Sequence, residues 1–90
     1  MIYKSKEGDI DLTKIIRLYP AAVIEMYGEV AEMSLEWMDA NEGKVKLLHY
    51  VLVFDETPPG QDEKIKTVLE FQTKDELIES MTEVAKFFDK

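Results

Sequence analysis

The stretch YPAAVIEMYGEVAEMSLEWMDANEG (19–43) decides the fold, because it supports two incompatible readings. As a helix, Pro20 would stand at its first residue, where a missing N–H costs nothing. Glu25, Glu29, Glu32, Glu36 and Asp39 would then line one polar stripe. As a hairpin, Met26-Tyr27-Gly28-Glu29 supplies the turn, and Ala31, Met33, Leu35 and Trp37 alternate with Glu32, Ser34 and Glu36. Two considerations favour the hairpin. Gly28 in mid-helix would cost about 1 kcal/mol. Such a helix would also be apolar around most of its circumference, more than so short a chain can cover. The expectation is a hairpin pairing 16–26 with 29–38, Ala31, Met33, Leu35 and Trp37 facing inward. The alternative is a second helix over 20–39.

Outward from that stretch the elements are plainer. DANEG (39–43) turns the chain into KVKLLHYVLVFDE (44–56), which is apolar on both faces. Val45, Leu47, Val51 and Val53 fall on one face, Leu48, Tyr50, Leu52 and Phe54 on the other, as in a strand covered on both sides. KIKTVLEF (64–71) alternates, with Ile65, Thr67, Leu69 and Phe71 inward. In TKDELIESMTEVAKFFDK (73–90), Thr73 and Glu76 form a capping box. Leu77, Ile78, Met81, Val84, Ala85 and Phe88 share one helical face, which predicts a helix over 74–88. Lys86 and Lys90 suit the negative end of its dipole. MIYKS (1–5) reads as a short strand, and Asp11 as the cap of a tight turn at Leu12–Ile15. DETPPGQDEK (55–64), with two prolines and a glycine, is a loop.

Strands followed by one amphipathic helix make an α+β domain: a bent antiparallel sheet of about five or six strands with the C-terminal helix packed on it. This order of elements is similar to that of pleckstrin-homology-like folds, which implies a sheet rolled against its closing helix and no particular activity.

Ninety residues suit a single domain over 1–90 that hides roughly 60–65% of its unfolded surface. Met1 at the start and a helix near the end read as a whole small protein. Nineteen acids against 11 bases give a net charge of −8. The lysines are scattered and Arg17 is the sole arginine, so no cationic face is available to nucleic acid or to an anionic membrane. With no cysteine, disulfides and thiolate chemistry are excluded, and a cytoplasmic location is expected.

Chemistry needs convergent groups, and none converge in the sequence. His49, the one histidine, falls among aliphatic neighbours and is expected to be a structural residue. Glu25, Glu29, Glu32 and Glu36 read as a solvated face, and the acids Asp55, Glu56, Asp62 and Glu63 lack the alternating ligand pattern of a calcium loop. Ser5, Ser34, Thr57 and Ser80 have no base beside them, and the four glycines form no phosphate cradle. The expectation is therefore no catalysis, no metal and no cofactor. The surplus of apolar residues points to a protein-interaction or self-associating module, possible partners including a second copy of the chain. The candidate interface is Leu48, Tyr50, Leu52, Phe54 and Trp37. The alternative is a small carrier whose apolar ligand lies between the sheet and the Leu77–Phe88 helix face.

Overall fold

The computed structural model describes residues 1–88; Lys90 lies outside them. The elements are β1 (Ile2–Ser5), β2 (Gly8–Asp11), a 3-10 turn (Leu12–Lys14), β3 (Arg17–Met26), β4 (Glu29–Met33), α1 (Leu35–Ala40), β5 (Lys46–Asp55), β6 (Lys66–Phe71) and α2 (Lys74–Phe88). The six strands are all antiparallel and divide between two sheets: the β1-β2 hairpin and a four-stranded sheet of order β4-β3-β5-β6. The α+β architecture read from the sequence is thus the one present, with α2 the only long helix among the described residues.

The hairpin reading of 19–43 holds for its first half. Tyr27 (φ 53°) and Gly28 (φ 78°) both take positive φ, as a two-residue type I′ turn requires. That turn makes Met26 and Glu29 the closing pair, so Ile24, Ala22 and Pro20 in turn point their backbone groups toward the β4 side. β4 pairs only as far as Ala22–Met33. The missing N–H of Pro20 therefore falls where β3 has no neighbour, the one kind of strand position proline tolerates.

The second half departs from expectation. The strand ends at Met33 rather than at residue 38, and Leu35–Ala40 is helical. Ser34 caps this helix, its hydroxyl oxygen accepting the Trp37 N–H at 3.1 Å. Leu35, Trp37 and Met38 then meet the core from a helix, while Ala31 is exposed on the edge strand. A capped helix turns Leu35 and Met38 to one side at a spacing of three, whereas a continued strand would have left Met38 facing water.

A second correction concerns β5. Val23 pairs with His49 but Ile24 pairs with Leu47, so Leu48 is the extra residue of a β-bulge. The bulge reverses the alternation on its N-terminal side. Leu47 joins Tyr50, Leu52 and Phe54 on the inner face, and His49 stands on the outer face with Val51 and Val53.

The main core lies between the inner face of the four-stranded sheet, the β1-β2 hairpin and α2. It contains Tyr3, Ile10, Leu12, Leu52, Phe54, Leu69, Phe71, Leu77 and Val84. Tyr3 stacks on Phe54 and meets Phe87 edge-on, its hydroxyl sharing a buried 2.8 Å hydrogen bond with Ser80. Thr73 caps α2: its hydroxyl accepts the Glu76 N–H and donates to the Glu76 carboxylate, both at 3.2 Å. The helix buries a narrower face than its sequence suggests, for Ile78, Ala85 and Phe88 remain exposed.

Candidate functional site

The residues singled out from the sequence are placed as follows. Leu52 and Phe54 are buried in the core beneath α2. Tyr50 and Trp37 are half-buried against the cluster of Ala22, Ile24 and Met38, and Leu48 is the half-buried bulge residue. The five candidate interface positions are thus divided between the core beneath α2, the cluster beside α1 and the bulge, and the chain's own helix covers the face that Leu52 and Phe54 share.

The hydroxyl groups serve the backbone or one another. Ser5 donates to the Gly8 carbonyl, Ser34 caps α1, Ser80 pairs with Tyr3, and the Thr57 oxygen accepts the Ile65 N–H at 2.8 Å. His49 lies on the outer face with Nε2 3.7 Å from a Glu70 carboxylate oxygen. Its expected all-aliphatic setting is thus half right: Val23 pairs with it and Val51 follows on its face, while Glu70, paired with Val51 on the neighbouring strand, lies diagonally from it. Glu25 is on β3, Glu29 and Glu32 on β4 and Glu36 on α1, so the four do not face a common point. Among the described residues no three His, Asp or Glu side chains gather in a metal-holding arrangement, and no helix is long and apolar enough to cross a membrane.

Asp55, at the end of β5, acts as a structural acid. Its carboxylate accepts the Thr57 N–H at 2.9 Å in an Asx turn that starts the 56–65 loop, and its carbonyl accepts the Ile16 N–H at 2.8 Å. The Thr57 N–H and hydroxyl hold the Asp55 carboxyl below the usual carboxylate range, with Lys66 and Arg17 adding to the effect. A pKa lowered by folding contributes stability that is fully present above the unfolded value of 3.8 and is lost as pH falls through the folded one. Asp55→Asn is therefore expected to lower the urea midpoint at neutral pH. The deficit should close once the wild-type carboxyl is itself protonated, which parallel urea titrations at neutral and acid pH would show.

What remains open is a notch. Because β4 stops at Met33, β3 has no neighbour on that side over Arg17–Ala21. Between this bare half-strand and α2 lies a groove of about 430 Å³, lined by Leu18, Pro20, Leu52, Met81, Ala85 and Phe88. Every lining side chain is apolar. Leu18 is 37% exposed and Phe88 53%, with Ile78 of the same helix at 46%. Apolar side chains gathered in one concave place, unlike scattered ones, mark a surface that excludes water when something binds. A partial signal of the groove was legible in the helix pattern: Ile78, Ala85 and Phe88 widen the apolar face of α2 beyond what a single sheet covers.

The chain matches no known protein family, no curated protein and no solved structure.

Among the described residues no helix packs on the outer face of the four-stranded sheet. Ala21, Val51 and Val53 are nonetheless buried there, covered by Tyr19, Val23 and longer neighbours. Lys66 donates to the Tyr19 hydroxyl at 3.2 Å, and the Arg17 guanidinium lies 5.1 Å from the Tyr19 ring centre.

Proposed function

We propose that this chain is a cytoplasmic, non-catalytic protein-interaction module that engages protein and neither nucleic acid nor membrane. The groove beside α2 carries the reading. It combines exposed apolar side chains from two elements, with no ionisable or nucleophilic group in its lining among the described residues, the composition of a contact surface rather than of a reaction site. The acidic surface, with a net charge of −8, keeps the free module soluble and disfavours polyanionic partners.

Leu18→Ser and Phe88→Ser test it. Phe88 is 53% exposed and Leu18 37%, so both variants should stay folded, with Phe88→Ser the milder of the two in its effect on the melting temperature. Binding of a protein partner, followed by amide chemical shifts at Met81, Ala85 and Leu18, should weaken or vanish in the variants. Unchanged binding would remove the groove from the interface. The second reading, an apolar-ligand carrier, draws on the same groove, whose volume falls in the range of small-molecule sites. Native mass spectrometry of the freshly purified chain decides for it if a retained small molecule adds to the 10.4 kDa mass.

A further inference from the structure

We propose that the free edge of β6 pairs with β6 of a second copy of this chain, antiparallel and centred on Val68, joining two four-stranded sheets into one. This names the partner within the interaction reading and rests on it, while using a different surface from the groove.

The argument starts from which backbone groups are free. β6 is a terminal strand of its sheet. The Glu56 N–H donates to the Ile65 carbonyl at 2.8 Å, which fixes Ile65 as a residue whose backbone faces β5. Hydrogen-bonded and non-bonded pairs alternate in an antiparallel ladder, so Thr67, Leu69 and Phe71 also face β5, and Lys66, Val68 and Glu70 turn their N–H and C=O outward. The Lys6 ammonium donates to the Glu70 carbonyl, as that outward direction requires. A carbonyl has two lone pairs, and the groups of Lys66 and Val68 are untouched by Lys6.

A two-fold axis through Val68 brings the outward residues opposite one another. Val68 meets Val68 of the second copy, and Lys66 meets Glu70 of the second copy in both directions. Each of these pairs falls where the backbone groups of both strands point outward, so strand parity and charge agree on one register. Val68, 41% exposed, would be covered at the centre. The Glu70 side chain, 65% exposed and 3.7 Å from His49 Nε2, would gain a cation.

The opposite edge of the sheet lacks this self-complementarity. β4 carries Glu29 and Glu32 and no basic residue, so no register of two copies meeting there would set an acid opposite a base. A β-strand edge with neither proline nor bulge is also the kind that chains join through.

The experiment is light scattering on the full chain across a concentration series, at about 0.15 M salt so that the repulsion of two acidic molecules is screened beyond about 8 Å. The wild type should approach twice 10.4 kDa. Val68→Pro removes an outward N–H without touching the ladder to β5 and should give a folded monomer by circular dichroism. Lys66→Glu alone should weaken the dimer roughly tenfold or more, since both symmetry-related pairs become repulsive. Lys66→Glu combined with Glu70→Lys should restore it, an outcome that damage to the monomer fold cannot produce. A wild type monomeric at about 1 mM overturns the inference, as does a dimer indifferent to the charge exchange. Neither result touches the groove. If Leu18→Ser or Phe88→Ser, rather than the β6 variants, dissolves a dimer or abolishes partner binding, the interaction reading survives and this one falls.

Discussion

A chain ended at Thr73 is expected not to fold. The deletion removes α2 with Leu77, Ser80 and Val84, all buried, and uncovers Leu52, Phe54 and Leu69, whose exposure in the intact chain is 1% or less. Burying a side chain of the Leu or Phe class contributes about 1.5–3 kcal/mol relative to leaving it in water. Exposing the three together costs about 4.5–9 kcal/mol, comparable to the whole net stability of about 5–15 kcal/mol of a typical domain. Tyr3 would lose both its Ser80 partner and the Phe87 edge, so the β1-β2 hairpin would lose its anchor as well. Far-UV circular dichroism and the spread of amide proton shifts measure the outcome. A cooperative melt and dispersed signals from the truncated chain would show that the sheet stands alone.

Phe54→Ala should be the most damaging single substitution. Phe54 is the largest fully buried side chain, stacked on Tyr3 with ring centres 6.1 Å apart and joined to the strands on either side through Leu18 and Thr67. Truncating a buried Phe costs about 3–5 kcal/mol, part from lost transfer and part from the cavity left behind. In a domain of this size each kcal/mol moves the midpoint by about 4–8 °C, so a loss of tens of degrees is expected. Differential scanning calorimetry reads it directly. The result also separates core from interface. If Phe54 served mainly a second chain, its loss would lower oligomer mass while leaving the monomer's melting point near the wild-type value.

The local elements were legible wherever pattern and punctuation agreed. α2 was announced by Thr73, Glu76 and the spacing from Leu77 to Phe88; β6 by its alternation; the 3-10 turn by Asp11, whose carboxylate accepts the Thr13 N–H at 3.0 Å. The turn at Tyr27-Gly28 was legible because glycine tolerates positive φ at little cost. Ser34 was the overlooked signal. A serine before Leu35-Glu36-Trp37-Met38 is an N-cap followed by helix-compatible residues, but the same letters alternate well enough to pass for a strand.

Sequence by itself thus determined the class of the fold, the hairpin and its turn, the closing helix, and the acidic charge balance. Tertiary structure decided which surfaces stay open. The bulge at Leu48 reversed one end of β5, because a single inserted residue shifts a period of two and no composition reveals it. The early end of β4 bared one side of β3 and opened the groove at Leu18 and Phe88, a consequence of strand lengths that only pairing sets. Placement of β6 at the end of the sheet left Lys66, Val68 and Glu70 with their backbones outward. Apolar pattern tells a residue to leave water, but whether its cover comes from its own helix or from another molecule depends on where the rest of the chain has gone.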